Sequence, residues 1–393
     1  MSLHVERRSV SESDPAASRS SGWTAAEARA MRVALRLARR GIGSTHPNPR
    51  VGAVVLRGGE IVAEGYHARA GEAHAEVRAL EAAGDHARGG TLVATLEPCA
   101  HFGKTPPCVD AILAADVRRV VIGMRDPNPL VDGRGIGALE RAGLDVVVGT
   151  LEDECRELNP PYLKQLRTGL PWVVLKAMLS LDGRMASDSG ESRGLGGDDE
   201  IRVAHRLRAV SDAVIAGVGT ILADDPLLTV RRSPGRTPVR VILDSSLRTP
   251  PGAAIWSTIA QAPVVLATVS RDDERARALA ARGASVWTFD PDPTGRVPLQ
   301  EVLRRLVDEG RYSVLVEGGS EVHTSFLREG LADRIAIGVA PVLLGGAGAP
   351  TLTRDLGRAR LHEGIAVEEL RVKRLGRDLW IEGAIVPEGG SRV

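Results

Sequence analysis

TLVATLEPCAHFGKTPPC, residues 91–108, places Cys99 and Cys108 directly after an apolar strand pattern, and His74-Ala75-Glu76 precedes it at the start of a predicted helix. One histidine and two cysteines form a set of nitrogen and sulfur ligands suited to zinc. Three protein ligands leave the fourth tetrahedral position for water, which is typical of catalytic zinc. The spacing therefore predicts a catalytic zinc site held by His74, Cys99 and Cys108.

Glu76 is the candidate general acid and base of this site. Zinc lowers the pKa of the water that it binds to about 7, and Glu76 could then shuttle the proton. Residues i and i+2 do not face one another in a regular helix, so His74 and Glu76 converge only where the chain enters its helix. Two structural alternatives stay open: a closed zinc site with Cys155, His101 or His67 as fourth ligand, and unliganded thiols beside a surface histidine.

Alternating helix and strand patterns surround this motif and predict a layered α/β domain of residues 23–150. Thr24 and Glu27 form a capping-box pattern, and Gly58-Gly59 separates two strand patterns as in a hairpin. Helices are predicted at about 25–40, 75–83 and 136–142 and from Cys108, with strands at 91–97, 118–124 and 145–149.

An amphipathic connecting helix is predicted over residues 151–170, ended by Pro171, and a second α/β domain over residues 171–390. Buried strands are predicted at about 172–179, 212–218, 239–244, 263–269, 285–289 and 313–317, helices at about 201–210, 271–282 and 299–309, and three consecutive strands near the C-terminus.

Composition bounds the class of protein. The 393 residues are 43% hydrophobic and 26% charged with a net charge of +1, so a disordered chain and a global attraction to nucleic acid are both disfavoured. Aromatic residues make up 3%, too few for the stacking surfaces of single-strand binders. Three cysteines indicate a reducing compartment, hence the cytoplasm. Residues 1–22 are predicted to be a disordered arm, and no apolar run reaches the roughly 20 residues that span a membrane.

The first half resembles a known family. The H-A-E and P-C motifs with a further cysteine are similar to the zinc nucleoside and nucleobase deaminases, in which the Glu is the general acid and base and not a ligand. The long span from Cys99 to Cys108, with HPNPRVGAV at 46–54 and DPNPLVDGRGI at 126–136, resembles the deaminase half of bifunctional riboflavin biosynthesis proteins. This resemblance implies that Asn48 meets the pyrimidine edge and that His101, Lys104 and Thr105 lie near the ribose phosphate. A simple turn is the alternative for Asn48.

Patterns in the second half are weak one by one. SVLVEGGSEVHTSFL at 313–327 could bind a phosphate at a helix start, or could be an ordinary strand-to-helix turn. Together with LKAMLSLDGRMA at 175–186 and the segment 205–231, it resembles the pyrimidine reductase half of the same family, whose fold is similar to dihydrofolate reductase. That family deaminates a diaminopyrimidinone ribose phosphate and then reduces its ribose to ribityl with NADPH.

The resemblance implies roles for the second half. Asp224 would assist proton transfer as the hydride reaches C1′, with a solvated turn carboxylate as the alternative. Lys176, near the substrate phosphate or the opening sugar, could serve instead of Asp224. Implied substrate contacts are Ser192, Arg208, Leu228, Arg231 and Glu317, with Arg208 and Arg231 meeting the phosphate. Implied cofactor contacts are Met178, Gly194, Thr220, Asp224, Ser245, Gly319 and Ser320.

One segment departs from the family pattern. After Ser192 the family usually has Trp and then Ile-Thr or similar, whereas this chain has Gly194, Leu195 and Gly196. The sequence thus predicts a zinc- and NADPH-dependent enzyme acting on a small pyrimidine ribose phosphate, without nucleic-acid or membrane partners, as a homodimer or tetramer. A deaminase whose reductase domain has lost hydride transfer is one alternative, and an RNA-directed base deaminase or binding protein is another.

Overall fold

The computed structural model describes residues 22–103 and 105–387. The predicted arm lies outside the described residues apart from Gly22, and so do Lys104 and the residues after 387. Within the described ranges the chain forms one sheet of five strands and one of nine, which correspond to the two halves expected from the sequence.

The first sheet carries the predicted zinc motif. Its strands are β1 (Gly52–Arg57), β2 (Glu60–Tyr66), β3 (Thr91–Leu96), β4 (Arg119–Met124) and β5 (Asp145–Val148). They lie in the order β2-β1-β3-β4-β5, with β1 antiparallel to β2 and β3, and with β3, β4 and β5 parallel. The predicted hairpin is therefore confirmed.

Helices of this half pack closely on the sheet at two glycines. The helices are α1 (Ala25–Ala38), α2 (Ala75–Ala83), α3 (Cys108–Ala114) and α4 (Arg134–Arg141), with 3-10 turns at Arg39–Gly41 and Gly84–Ala87. A Cβ on Gly52 would lie 2.0 Å from the carbonyl oxygen of Ala34 in α1, and one on Gly65 would lie 2.4 Å from that of Ala75 in α2. Only glycine permits these approaches, and the second one sets the position at which α2 begins.

The connecting region differs from the prediction of one helix. It forms α5 (Glu152–Arg156) and α6 (Pro160–Thr168), and Asn159 between them has a non-helical backbone with φ of −125° and ψ of 40°. Proline lacks the N–H that a continuing helix requires and disfavours helical geometry in the residue before it, so Pro160 starts a new helix. Asn159 joins this region to the first domain, because its side chain exchanges two hydrogen bonds of 2.8 Å with the backbone of Arg50.

The second sheet is parallel over seven of its nine strands. Its strands are β6 (Trp172–Ser180), β7 (Ala213–Gly217), β8 (Val239–Leu243), β9 (Val264–Thr268), β10 (Ala284–Thr288), β11 (Ser313–Val316), β12 (Arg334–Ala340), β13 (Val367–Leu375) and β14 (Asp378–Ile385). The order is β10-β9-β8-β7-β11-β6-β12-β14-β13, with the last two strands antiparallel to their neighbours. The predicted C-terminal strands are thus confirmed.

This order determines where a ligand can bind. The accompanying helices are α7 (Asp198–Val210), α8 (Val218–Asp224), α9 (Asp273–Ala280), α10 (Leu299–Asp308) and α11 (Ser320–Arg328), with 3-10 turns at Ala254–Thr258 and Leu361–Glu363. Parallel strands end at the same edge, so the residues that follow β7, β8 and β11 come together there, and open α/β sheets bind ligands at this edge. Every residue of β7 is buried, as expected of a strand covered on both faces.

Candidate active sites

The structure brings His74, Cys99 and Cys108 together. One ligand atom from each lies within 4.8 Å of the others, and they form the one such group of His, Cys, Asp or Glu found among the described residues. The Nδ1 of His74 lies 3.1 Å from Sγ of Cys108 and 3.5 Å from Sγ of Cys99. A soft set of this composition and spread fits a zinc ion.

The geometric condition on His74 and Glu76 is met. His74 is the N-cap of α2, with an extended ψ of 165°, and Glu76 lies in the first turn. Glu76 is 3% exposed, and its Oε2 has no hydrogen-bond partner. Burial raises the pKa of Glu76 to about 7, although the nearby His74 opposes the shift. A carboxyl group with this pKa can both take and give a proton near neutral pH.

Cys99 and Cys108 form a pair in which Cys108 keeps its thiol proton and Cys99 loses its own more readily. Cys108 opens α3 as expected, and its backbone N–H lies 3.3 Å from Sγ of Cys99. The hydrogen bond from the Cys108 thiol lowers the pKa of Cys99 to about 4 despite its burial. The same pairing, followed by burial, raises the pKa of Cys108. Because a metal takes thiolate ligands, its binding is coupled to release of this proton.

Two of the alternative fourth ligands, Cys155 and His67, are engaged elsewhere, and His101 is not part of the converging group of ligand atoms. Cys155 packs in the core, where a Cβ on Gly123 would lie 2.3 Å from its Sγ, and burial raises its pKa to about 12. His67 stands edge-on to His74 with ring centroids 5.2 Å apart. Its Nδ1 lies 3.3 Å from the carbonyl oxygen of Ala73. These contacts favour an open site over a closed one.

Asn48 and the loop before Cys108 approach the same site. The Nδ2 of Asn48 lies 3.1 Å from Nε2 of His67. The backbone N–H of Asn48 donates to the carbonyl oxygen of Thr45 at 2.8 Å, so Asn48 belongs to a turn and its side chain also approaches the site. Thr105 Oγ1 lies 3.4 Å from Nε2 of His74. His101 has an unpaired Nδ1, and Lys104 lies outside the described residues.

Two residues of this half make buried contacts that their sequence motifs did not predict. Glu97 immediately precedes Pro98-Cys99, is 4% exposed, and accepts four backbone hydrogen bonds from residues 126–136 at 3.0 to 3.2 Å. His46 pairs with Asp212 of the second half. Both partners are distant in sequence, so no local pattern could reveal them.

A cavity of about 910 Å³ lies at the expected edge of the second sheet. That volume is within the range of ligand sites. Twelve of the residues assigned from the sequence line it: Lys176, Met178, Ser192, Gly194, Arg208, Thr220, Asp224, Leu228, Ser245, Glu317, Gly319 and Ser320. Gly319 is the N-cap of α11, and a Cβ there would meet nothing within 4 Å, so no neighbouring atom crowds the start of this helix on the side of that Cβ.

Two charged side chains of this cavity, Arg208 and Glu317, form an ion pair. Arg208 donates from Nε and Nη2 to both carboxylate oxygens of Glu317, at 2.5 and 2.8 Å. Burial alone would raise the pKa of Glu317, but Arg208 outweighs it and leaves that pKa below its ordinary value. Ser192 donates to Oδ1 of Asp224 at 2.7 Å, which orients the candidate catalytic carboxylate.

Arg231 stands apart from the other assigned residues. It is absent from the cavity lining, its side chain donates to Oγ1 of Thr229 at 2.5 Å, and the residue is exposed. Arg208 donates to the carbonyl oxygen of the same Thr229 at 3.1 Å, so the two guanidinium groups are neighbours. The phosphate-binding role of Arg231 stays a prediction without the support that the cavity gives to Arg208.

Comparison with known proteins decides the family. Residues 171–381 match the model of the RibD C-terminal domain, and residues 25–124 match that of the cytidine and deoxycytidylate deaminase zinc-binding region. The riboflavin biosynthesis protein RibD of Aquifex aeolicus is 42% identical over 352 residues, 89% of this chain and 96% of its own. The chain belongs to the RibD family.

RibD relatives also share the whole fold. RibD of Escherichia coli is 42% identical over 364 residues, covering 89% of this chain and 97% of its own. The structure of Acinetobacter baumannii RibD superposes with a TM-score of 0.82 at 38% identity, covering 92% of this chain and 99% of that one. This member of the family is a bifunctional riboflavin biosynthesis enzyme, with a zinc-binding deaminase domain and an NADPH-dependent reductase domain. The predicted fold class, cofactors and dual activity are thereby confirmed.

Proposed function

We propose that His74, Cys99 and Cys108 hold zinc in this chain and that Glu76 moves the protons of the deamination. The substrate is 2,5-diamino-6-(5-phosphoribosylamino)pyrimidin-4(3H)-one. Zinc, when bound, supplies a Lewis acid that lowers the pKa of water. Glu76, with its pKa near neutrality, takes a proton from the attacking water and gives one to the departing amino group, so that ammonia leaves.

The other residues of the deaminase site bind and orient the pyrimidine. Asn48 keeps its amide at the site edge through His67, and we assign it to the pyrimidine edge. His101, Lys104 and Thr105 are assigned to the ribose phosphate, with Thr105 close to His74. The single observation that carries this assignment is the convergence of one histidine and two cysteines beside a buried, unpaired carboxylate oxygen.

The reductase reaction is assigned to the cavity of the second domain. NADPH, when bound, would supply the hydride that reduces C1′ of 5-amino-6-(5-phosphoribosylamino)uracil. With that reduction the C1′–O4′ bond of the substrate would break, and O4′ would keep the electron pair and gain a proton. Asp224, oriented by Ser192, assists that proton transfer. Thr220, Ser245, Gly319, Ser320, Met178 and Gly194 are assigned to NADPH, and Lys176, Arg208, Leu228, Arg231 and Glu317 to the substrate.

The domain limits and the cellular setting belong to the same proposal. We assign residues 23–150 to the deaminase, 151–170 to the connection and 171–390 to the reductase. The enzyme acts in the cytoplasm without nucleic acid or membrane. In the described part of the chain, none of the helices is long and apolar enough to cross a bilayer.

A homodimer or tetramer is the proposed assembly. β13 forms the edge of the nine-stranded sheet, and Leu370 and Val372 on it are 58% and 62% exposed. An edge strand with exposed apolar residues is a surface that pairing with another chain would cover. A monomeric mass in solution at working concentration would contradict this assignment.

Mass spectrometry of the product tests both reactions in one sample. The full-length enzyme is incubated with the diaminopyrimidinone ribose phosphate and NADPH. Deamination replaces an amino group by oxygen, whereas reduction adds two hydrogens, so the two changes have different masses. We expect a product that carries both. A product that is only deaminated would favour a reductase domain that binds without hydride transfer. In a parallel incubation with RNA, conversion of RNA together with an unchanged diaminopyrimidinone would favour the RNA-directed alternative.

Cys108→Ser tests the zinc site. Loss of one thiolate from the set should abolish bound zinc, measured by elemental analysis, together with deamination. Reduction of the deaminated substrate should persist, because the reductase cavity is separate. Stoichiometric zinc with full deamination in this variant would contradict the assignment.

A further inference from the structure

Glu200 is a buried carboxylate in the reductase cavity that the sequence did not single out. It lies in the first turn of α7 and lines the cavity with a side chain 5% exposed. Its Oε1 is 2.7 Å from Nζ of Lys176, itself 12% exposed. Among the described residues Oε1 has no other partner, and because an ammonium group carries three donors, Lys176 keeps donors for a ligand beyond this contact.

Two glycines give this carboxylate its space. A Cβ on Gly196 would lie 2.5 Å from Oε2 of Glu200, and a Cβ on Gly338 would lie 3.2 Å from its Cγ. Threonine at position 196 would therefore displace the carboxylate. Glycine at position 196, where the family usually has threonine, thus accompanies the carboxylate of Glu200, which fills the space that a side chain at 196 would take.

The charges of this cluster balance. Lys176 faces Glu200, and Arg208 faces Glu317, so two cations meet two buried carboxylates. A phosphate dianion placed against Lys176 would also meet the carboxylate of Glu200, which already balances the charge of this cation. Neutral hydroxyl and ring oxygens of a sugar can accept hydrogen bonds from Lys176 without that cost.

We propose that Glu200 is a positioning residue of the reductase site, which balances the charge of Lys176 and directs it to the sugar of the substrate instead of its phosphate. The inference deepens the proposed function and rests on its placement of the substrate in this cavity. As the C1′–O4′ bond breaks, O4′ gains negative charge, and a held ammonium group stabilises it by a hydrogen bond.

Glu200→Gln tests this role in the full-length enzyme, with inorganic phosphate as the probe. The variant keeps the shape of the side chain and removes its charge. We expect kcat for reduction to fall at least roughly tenfold, because Lys176 loses the group that holds it. We also expect phosphate to inhibit reduction more strongly, because Lys176 then carries an unbalanced charge. An unchanged kcat with unchanged phosphate inhibition would overturn the proposal.

Gly196→Ala tests the same role without removing a charge, which keeps the experiment decisive if Glu200→Gln fails to fold. Its added methyl group would collide with Oε2 of Glu200 and so displace the carboxylate from its present position beside Lys176. We expect the same direction of change in kcat and phosphate inhibition, whereas wild-type values would overturn the proposal. Gly252→Ala is the matched control, because a Cβ there meets nothing within 4 Å and Gly252 lies outside the cavity lining.

Asp333→Asn controls for loss of a buried ion pair as such. Asp333 pairs with Lys164 at 2.6 Å, with side chains 12% and 8% exposed, away from the cavity. It should lower thermal stability without stronger phosphate inhibition, and the same inhibition in this control would overturn the proposal. Asp224→Asn distinguishes failure of the Glu200 proposal from failure of the proposed reductase site. If Asp224→Asn abolishes reduction and Glu200→Gln leaves it intact, only the role of Glu200 is overturned. If both variants reduce the substrate normally, the proposed site is overturned.

Discussion

At the scale of single residues, Asp126 is a buried carboxyl group whose ionised form is destabilised by the fold. It is 4% exposed, and Tyr162 of α6 donates to its Oδ1 at 2.9 Å. Burial raises its pKa to about 6, although hydrogen bonds from the backbone of Asn128 and from Tyr162 oppose the shift. The ionised form is therefore less favourable in the folded chain than in the unfolded chain, where the pKa is about 3.9.

This raised pKa predicts a loss of stability as the pH rises. The contribution of Asp126 is complete below about pH 4 and is lost as the pH rises through about 6, and a shift of about two units corresponds to ~3 kcal/mol. Asp126→Asn keeps an acceptor for Tyr162 and cannot ionise. We expect the free energy of unfolding of this variant, relative to wild type, to increase by about 2 kcal/mol between acidic and neutral pH.

Urea unfolding of both proteins across this pH range measures the difference. Asp308→Asn, at an exposed position in α10, is the control and should follow wild type at every pH. A difference between Asp126→Asn and wild type that is constant with pH would contradict the prediction, because it would show that Asp126 does not titrate in this range.

At the scale of elements, Glu97 joins the end of β3 to the segment that leads into α4. Its Oε1 accepts from Gly135 at 3.0 Å and Ile136 at 3.2 Å, and Oε2 accepts from Asp126 at 3.2 Å and Gly133 at 3.0 Å. A Cβ on Gly135 would lie 1.9 Å from the carbonyl oxygen of Pro98. The backbone that carries Cys99 is thus held against α4 by one carboxylate and one glycine.

Glu97→Gln should weaken both the fold and the zinc site. An amide has one acceptor oxygen in place of two, so buried N–H groups lose their partner at a cost of about 1–3 kcal/mol each. We expect unfolding at lower urea concentration and a several-fold loss of zinc affinity, measured by competition with a chelator. Glu27→Gln is the matched control, because Glu27 is 5% exposed and pairs with Arg119 away from the cysteines. An equal loss of zinc affinity in that control would contradict the positioning role.

Local patterns explain why some elements could be predicted and others could not. The N-cap position of His74 and the placement of Cys108 at the start of α3 follow from short-range signals, and both are as expected. The break between α5 and α6 was missed because the amphipathic pattern continues across Pro160. Glu200 was missed because its partner, Lys176, lies on a strand 24 residues earlier, and acidic residues are common in the first turn of a helix.

At the scale of the whole molecule, the two halves meet at Asp212. This carboxylate is 1% exposed and lies at the start of β7, where it accepts from the backbone of Tyr312 and Ser313 at 3.0 and 3.1 Å. It also pairs with His46 of the first half and with Arg236. Beside it, a Cβ on Gly43 would lie 2.9 Å from the carbonyl oxygen of Ala209 in α7, so the loop that carries Asn48 rests directly on the reductase half.

His46→Ala should therefore loosen the deaminase half from its support and disturb Asn48, two residues away. We expect kcat/KM for deamination to fall about tenfold, which corresponds to ~1.4 kcal/mol, with reduction of the deaminated substrate within twofold of wild type. Calorimetry should show the unfolding transitions of the two halves moving apart, because their coupling is weakened. His86→Ala, at an exposed position in the same half, should leave both properties unchanged. Equal losses in deamination and reduction would show instead that His46 supports the fold as a whole.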